Sequence, residues 1–257
     1  MSEPIKPVVV DLSHWDPADD YDAVKRDGIV GVIYKATQGT SYTDDTYVNQ
    51  QHAAKAAGLL WGAYHFAEAT NVDQQVQNFL RFAAPDPDDL FCLDWEDYGS
   101  NTMSVSQAKE WITQVETALG RPNECVIYSG NTAKEMLDGA DAFFGSRRLW
   151  LAQYGSTPQP QESWDSYWLW QFTDGVYGPS PHSIDGVGPC DINSFAGTPE
   201  ELVEQWATGS AGPGPRAPRP PHPPQPKVVA VNISAPNGVT VQVTVNDLPY
   251  RRFRRAD

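Results

Sequence analysis

Short apolar runs alternate along the chain with longer segments in which apolar residues recur every three or four positions. The runs predict strands over 8–12, 29–35, 59–66, 90–95, 125–129, 148–154 and 167–172, with a last one near 190–193. The periodic segments predict helices over 47–57, 73–83, 104–119 and 132–137. Strands that alternate with helices are typical of parallel βαβ units. The pattern therefore predicts an α/β fold, an irregular TIM-like (β/α) barrel. Past residue 148 clear helices are missing between strands, which predicts antiparallel closing strands.

The predicted helix over 104–119 has clear boundary signals. Ser104 followed by Gln107 forms a capping box, in which each side chain bonds the other residue's backbone N–H. Gly120 and Pro122 then stop the helix, because glycine accepts the left-handed conformation and proline cannot continue a helix.

The composition changes near residue 208. Residues 209–226 contain eight prolines in 18 residues, which predicts an extended Pro-rich linker. Two alternating segments around Pro236 and Gly238 predict a small C-terminal β-hairpin. We therefore expect a catalytic barrel over 1–208, a linker over 209–227 and a basic hairpin over 228–257. An isolated hairpin is unstable, so it should dock on the body, join a homo-oligomer or pair with a partner's sheet edge.

Charge is divided unevenly along the chain. The net charge is −15, and 209–257 hold seven Lys and Arg against two acids, a net +5 that leaves −20 on 1–208. A body this acidic argues against nucleic acid as the partner, because phosphate binding needs clustered basic residues. No apolar run is long enough to predict a membrane span. The start of the chain lacks the basic and apolar segments of a secretory signal.

The chain has three cysteines, and each lies in an apolar or strand-like segment: Cys92, Cys125 and Cys190. They are predicted to be small buried hydrophobic residues rather than a disulfide framework. None has Cys/His ligand spacing, and no cofactor motif opens a helix, so we expect neither a metal site nor a cofactor.

The strand predicted over 90–95 has two acidic residues at its C-terminal end. Asp94 and Glu96 are two positions apart, so in an extended strand they share one face while Trp95 points the other way. Two neighbouring carboxylates repel, which raises the pKa of at least one, and a carboxyl that stays protonated near neutral pH can act as a general acid. The alternative from this segment alone is two solvated acids in a loop.

Other predicted strands also end in polar or aromatic residues, and chemistry in such barrels gathers at the C-terminal strand ends. The carboxylates are Asp11 and Asp191, in addition to Asp94 and Glu96. The other candidates, predicted to bind substrate, are Trp15, Lys35, Tyr64, His65, Tyr154, Trp170 and Gln171. For His65 a structural, hydrogen-bonded role is the alternative, and only one of Trp168 and Trp170 should face the site. Four carboxylates with interleaved aromatics and amides are what a polysaccharide cleft needs, since glycoside cleavage uses two carboxyl groups.

These segments identify a resemblance to the glycoside hydrolase family 25 lysozymes, muramidases of bacteria and their phages. The matching segments, in order, are 9–15 (VVDLSHW), 34–39 (YKATQG), 62–66 (GAYHF), 93–96 (LDWE), 127–129 (IYS), 149–154 (LWLAQY), 169–172 (LWQF) and 190–195 (CDINSF). The resemblance covers about residues 7–207 and does not reach the linker or the hairpin. Val9 and Cys190 depart from the usual family residues, but neither carries a proposed charge.

The resemblance implies cleavage of the β-1,4 bond between N-acetylmuramic acid and N-acetylglucosamine in peptidoglycan, with retention. It implies that Glu96 is the general acid/base. Asp94 is either a nucleophile or the residue that orients the substrate's acetamido group, and the sequence leaves both open. Asp11 and Asp191 correspond to two further cleft acids, and Tyr64 and Tyr154 to cleft tyrosines.

The same resemblance predicts a phage-type lysin, made in the host cytoplasm without a signal peptide and acting at the bacterial cell wall. Two rival interpretations stay open. One is a virion-associated structural protein that carries a lysozyme domain and is attached through the linker and hairpin. The other is an inactive wall-binding module, which the complete set of acids argues against.

Overall fold

The structure, a computed structural model, describes residues 5–206. The predicted linker and hairpin lie outside these residues, so that part of the domain division stays a prediction. Within the described range the strands are β1 (Val9–Leu12), β2 (Gly31–Gln38), β3 (Tyr42–Thr43), β4 (Leu60–Phe66), β5 (Leu90–Asp94), β6 (Val126–Ser129), β7 (Leu149–Ala152), β8 (Leu169–Thr173), β9 (Ser183–Ile184), β10 (Gly188–Pro189) and β11 (Asp191–Phe195). The helices are α1 (Tyr21–Arg26), α2 (Tyr47–Ala56), α3 (Val72–Ala83), α4 (Val105–Leu119), α5 (Asn131–Met136), α6 (Ala142–Gly145) and α7 (Pro199–Gln205).

Eight of these strands close into a barrel. Parallel pairing runs from β1 through β2, β4, β5, β6 and β7 to β8. The last strand, β11, is antiparallel to both β8 and β1 and closes the ring. The predicted irregular α/β barrel with an antiparallel closing strand is confirmed.

Most predicted elements are present with small changes at their ends, and the missed ones are short. The capping box of Ser104 and Gln107 starts α4, and Gly120 ends it with φ +64°. The strand β3, the β9–β10 hairpin and helices α1, α6 and α7 were not predicted. At two to seven residues they are too short for a hydrophobic period to stand out.

Alternation along the strands divides the core into two layers. In β4, Trp61 and Ala63 belong to the layer between strands and helices, while Leu60 and Tyr64 pack inside the barrel. The three cysteines are free and buried, as predicted. A two-residue side-chain period therefore decides which strand residues can reach the barrel interior.

Helix α7 covers the N-terminal ends of the parallel strands. Trp206, directly after α7, donates its indole N–H to the backbone oxygen of Trp61 at 2.8 Å. Its ring lies so close to Gly31, at the start of β2, that a Cβ there would stand 2.7 Å from it. Arg148 donates to the carbonyl oxygens of Gln205 and Trp206. These groups stand at the C-terminus of α7, where the helix dipole stabilises a positive charge. This end of the barrel is filled, so a site must lie at the other end.

A buried ion pair joins α4 to the segment before β7. Arg147 Nη2 and Glu116 Oε2 are 2.7 Å apart, and both side chains are about 6% exposed. Glu116 also accepts the backbone N–H of Cys125 at 3.2 Å. Removing one charge leaves the other buried without compensation.

We expect Glu116→Gln to lower the free energy of unfolding by about 3 kcal/mol, measured by urea denaturation. The control is Asp86→Asn, which removes a 2.9 Å ion pair with Lys55 whose carboxylate is 70% exposed. That variant should lose less than about 1 kcal/mol, since solvent screens exposed pairs. Equal losses in both variants would contradict the role given to the buried pair.

Candidate active site

The acid pair lies where strand alternation predicts. Asp94 is the last residue of β5 and is 6% exposed, and Glu96 follows two positions later and is half-buried. Trp95 points to the opposite side, where it stacks on Phe144 and donates its indole N–H to the Met103 oxygen at 2.7 Å. The buried Trp95 anchors the strand end and holds the two carboxyls on the inner side.

The Asp94 and Glu96 carboxyl groups are hydrogen-bonded to each other. Burial raises the pKa of Asp94 well above its ordinary value, and the Glu96 charge raises it further. Burial also raises the pKa of Glu96, against the lowering effect of the Asp94 hydrogen bond and of Lys35. The pair therefore holds a proton in a range in which solvated carboxyls have lost theirs.

A second carboxyl pair lies across the closing strands. Asp11 in β1 is directly opposite Asp191 in β11, and the two carboxyls share a hydrogen bond. Burial raises the pKa of Asp11 to about 7. Burial and the Asp11 charge raise the pKa of Asp191 to about 9. Asp191 thus keeps its proton to higher pH, and Asp11 is the member of the pair that ionises first. We call Asp11, Asp94, Glu96 and Asp191 the acid cluster.

Tyr64 connects the two pairs. It is half-buried at the end of β4, and burial raises its pKa well above the ordinary value, with further increases from Asp94, Asp11 and Asp191. Asp11 in turn contributes to the raised pKa of Asp94. Side chains separated by up to 180 residues along the chain are therefore brought together, as predicted from the strand ends.

Amide and phenol groups surround Asp11. Asp11 Oδ1 accepts the Gln171 amide at 2.8 Å, and Oδ2 accepts the Asn193 amide at 2.7 Å. Gln171 Oε1 in turn accepts the hydroxyls of Tyr128 and Tyr154, both at 2.8 Å. Gln171 was predicted to bind substrate, but it is 1% exposed and both ends of its amide are engaged within the protein. The structure corrects this to an internal support for Asp11.

Lys35 brings a positive charge to the cluster. Its Nζ donates to Gln38 Oε1 at 2.7 Å and lies 4.9 Å from the Phe66 ring centroid and 5.4 Å from that of Tyr42. Burial lowers the pKa of Lys35, while the charges of Asp94 and nearby acids raise it. Held between aromatic rings, the ammonium group partly offsets the charge of the acid pair.

Exposed aromatic side chains follow the C-terminal ends of the barrel strands. Trp15 follows β1 and is 83% exposed, and Tyr154 follows β7 and is 42% exposed. The others in the described residues are Tyr42, Tyr98 and Tyr177, which follow β2, β5 and β8. An aromatic side chain left open at this end offers a flat apolar face to a ligand.

Two predicted substrate contacts point away from the acid cluster. His65 is fully buried, stacks on Trp111 of α4 with ring centroids 5.2 Å apart, and bonds Thr37 and Gln75. Trp170 is 4% exposed and belongs to the layer between strands and helices. In both strands the neighbouring residue faces inward, so alternation turns these rings outward. The structural alternative is correct for His65, and the prediction for Trp170 is wrong.

Sequence reasoning assigned no role to three residues that organise the site: Tyr128, which stands at a strand end, Trp150 and Asn193. Trp150 Nε1 donates to Asn193 Oδ1 at 2.6 Å, and the Tyr128 ring packs edge-on against Trp150 with centroids 4.5 Å apart. Their inward positions follow from strand alternation, which was a usable signal. Their partners depend on strand pairing and could not be read from spacing.

The described residues give two negative findings. No helix within 5–206 is both long and apolar enough to cross a membrane. In the same range, no three or more His, Cys, Asp or Glu side chains are arranged as a group that could hold a metal ion.

A barrel with paired, partly protonated carboxyls among exposed aromatics at the C-terminal strand ends is the geometry of a glycoside hydrolase. Comparison with known proteins agrees: the family model "Glycosyl hydrolases family 25" matches residues 10–180. The chain belongs to this family and is a glycoside hydrolase, as the sequence predicted.

Similarity to individual proteins extends over most of the barrel. The chain is 27% identical over 212 residues to lysozyme M1 of Streptomyces globisporus, covering 76% of this chain and 69% of that protein. It is 28% identical over 197 residues to the N,O-diacetylmuramidase of Chalaropsis, covering 68% and 92%. The crystal structure of a bacterial lysozyme from Streptomyces coelicolor matches with a TM-score of 0.69 and 25% identity, covering 80% of this chain and 99% of that one.

The burial of His65 predicts a pH dependence of stability. Burial lowers its pKa to about 4 from the ordinary 6.5. Between these pH values the histidine therefore binds a proton in the unfolded chain but not in the folded chain. The contribution of His65 is thus present above pH 6.5 and is lost as the pH falls toward 4. In His65→Gln the unfolding free energy, from urea denaturation across this range, should fall less steeply with decreasing pH than in wild type. His52→Gln, at an exposed histidine of α2, is the control; an unchanged slope in His65→Gln would contradict the prediction.

Proposed function

We propose that this protein is a peptidoglycan hydrolase that cleaves the β-1,4 bond between N-acetylmuramic acid and N-acetylglucosamine with retention of configuration. The observation that carries the proposal is the hydrogen-bonded pair of Asp94 and Glu96 at a strand end that exposed aromatics surround. The names of the similar proteins, a lysozyme and an N,O-diacetylmuramidase, support the same substrate.

In the proposed reaction Glu96 is the general acid. It is less buried than Asp94, so it is the carboxyl that reaches the glycosidic oxygen, and it donates the proton that the hydrogen-bonded pair shares. Donating that proton lets the leaving sugar depart as an alcohol. Glu96 then takes a proton from water in the second half of the reaction.

Asp94 is proposed as the second catalytic carboxylate. Loss of the shared proton to the leaving group leaves it charged next to the sugar carbon, where positive charge develops. The two carboxyls are in hydrogen-bond contact, which is nearer to the roughly 5–5.5 Å separation of retaining enzymes than to the roughly 6.5–9.5 Å that inverting enzymes need to place a water between them. This proximity supports retention, whether Asp94 bonds the sugar or orients its acetamido group.

The aromatics are proposed to bind the glycan. The rings of Trp15 and Tyr154 are suited to packing against the apolar faces of sugars, while Lys35 and Tyr64 lie beside the acids and offer hydrogen bonds. The chemistry that these residues supply is proton transfer and charge stabilisation, for which the proposal needs no cofactor.

The biological setting is proposed from the sequence resemblance. We propose a phage-type lysin that acts at the cell wall, with the basic segment 228–257 as a contact to the envelope or to a virion or homo-oligomer partner. The virion-associated alternative differs in one measurable respect: it predicts the protein at fixed stoichiometry in mature particles.

We expect Glu96→Gln and Asp94→Asn each to reduce release of reducing ends from purified peptidoglycan by about a thousandfold, because each removes one half of the proton-transfer pair. Asp97→Asn is the matched control. Asp97 is an exposed neighbouring acid that only accepts bonds from Gly99 and Thr102, which an asparagine oxygen can also do. Its activity should be unchanged.

Mass spectrometry of the products should find muramic acid at the new reducing ends, and proton NMR during the first minutes of cleavage should find the β-anomer. Glucosamine at the reducing ends would refute a muramidase, and near-full activity of Asp94→Asn would refute the paired-carboxylate mechanism. If wild type and Glu96→Gln both leave wall turbidity unchanged, the inactive binding module is supported instead.

Removing residues 209–257 should leave cleavage of soluble wall fragments unchanged and weaken lysis of whole cells. The reason is that this segment carries a net charge of +5, which favours an anionic envelope, while the acid cluster lies within 5–206. Turbidity of intact cells and reducing-end release from fragments measure the two effects. An equal loss in both assays would mean that the barrel itself needs the segment.

A further inference from the structure

A short chain of hydrogen bonds crosses the barrel interior beneath the acid cluster. Trp150 Nε1 donates to Asn193 Oδ1 at 2.6 Å, and Asn193 Nδ2 donates to Asp11 Oδ2 at 2.7 Å. The three residues lie on β7, β11 and β1 and are 1%, 0% and 6% exposed. Water therefore has little access to these groups, and the direction of each bond depends on the protein.

The indole N–H determines the orientation of the Asn193 amide. Tryptophan can only donate a hydrogen bond, so the Asn193 atom that faces it must be the carbonyl oxygen. The amide nitrogen must then face Asp11. The oxygen and nitrogen of an asparagine amide can usually be exchanged without changing its shape. Here they cannot, because the Trp150 indole has no acceptor for an amide N–H.

Gln171 supports the same arrangement without being able to enforce it. Its nitrogen donates to Asp11 Oδ1 at 2.8 Å, while its oxygen faces the hydroxyls of Tyr128 and Tyr154. A phenol hydroxyl can donate or accept, so these partners would also tolerate the reversed amide. Only the bond from Trp150 through Asn193 has a fixed direction.

We propose that Trp150 and Asn193 are positioning residues: the indole fixes the Asn193 amide, and the amide keeps Asp11 as the charged, hydrogen-bond-accepting carboxylate beside a protonated Asp191. The proposal rests on the proposed function, in which a fixed negative charge favours the positive charge that develops on the sugar. Neither residue is placed in contact with substrate; both act through Asp11.

The groups that face Asp11 set the background for this effect. The titratable carboxyls and phenols around it come from the β1 loop, β4, β5, β6, the end of β7 and β11, namely Asp16, Tyr64, Asp94, Tyr128, Tyr154 and Asp191. The thiols Cys92 and Cys190 are also within its electrostatic reach. Against so many acids, the charged form of Asp11 is favoured first by the amide donors of Asn193 and Gln171 and then by the hydrogen bond from Asp191.

We call the hydrogen bonds from Trp150 through Asn193 to Asp11 the relay. Two variants test it. Asn193→Leu keeps the branched skeleton of four heavy atoms and removes the donor to Asp11, and Trp150→Phe removes the indole N–H while keeping a ring against Tyr128. Losing a donor to the charged form raises a carboxyl pKa, so the titration of Asp11 should move to higher pH. For Asn193→Leu we expect a shift of about one pH unit, a roughly tenfold change in the protonation equilibrium, and for Trp150→Phe a smaller shift in the same direction.

Two readouts separate the relay from the proposed function. The first is a carboxyl-carbon NMR titration of the full-length protein, with Asp11→Asn used to assign the Asp11 signal. The second is the pH profile of kcat/KM on purified peptidoglycan, whose acid limb should move upward with Asp11. The control is Trp164→Phe, which also loses one buried indole bond, to the Arg147 backbone oxygen at 2.8 Å, and should move neither readout.

The outcomes are distinct. Upward shifts in both relay variants with none in Trp164→Phe support the relay. An Asp11 titration that stays unchanged in Trp150→Phe and Asn193→Leu overturns it, as does an equal shift in Trp164→Phe. If Asn193→Leu does not fold, Trp150→Phe carries the test. If the wild-type protein does not cleave peptidoglycan, the proposed function fails while the NMR titration still decides the relay.

Discussion

Crowding of like charge is the constraint on which the site depends. Asp11, Asp94, Glu96 and Asp191 are buried or half-buried at one end of the barrel, where four full negative charges would be very costly. The structure lowers that cost by pairing them, so that each pair is hydrogen-bonded and retains a proton. Buried amides and Lys35 stabilise the charge that remains. Repulsion thereby produces neighbouring acid and base forms, which is what glycoside cleavage needs.

The pairs differ in their surroundings, and this gives them different tasks. Asp94 and Glu96 belong to one strand end and open toward the exposed aromatics, so they can meet a substrate. Asp11 lies across from Asp191 and accepts hydrogen bonds from side chains of β8 and β11. The filled N-terminal end of the barrel, which Trp206 covers, leaves the opposite end as the place for all four acids.

Much of the fold could be predicted because its signals are local. The eight barrel strands follow from apolar runs, and α4 from a capping box and a glycine stop. Helix α7 was missed although Thr198, Pro199 and Glu201 form a capping box with proline in the first turn. Its seven residues are too few for a period to show, and its amphipathic role depends on the barrel end that it covers.

The sequence by itself determined which residues stand at the strand ends, and therefore which carboxyls could meet. It could not decide the direction of a side chain when two neighbours, such as Tyr64 and His65, are both plausible, because a shift of one residue reverses the two faces. It also could not assign partners such as Asn193 to Asp11, which lie 182 residues apart along the chain. Only barrel closure, which sets β1 against β11 and buries the groups between them, decides those contacts and the protonation that follows from them.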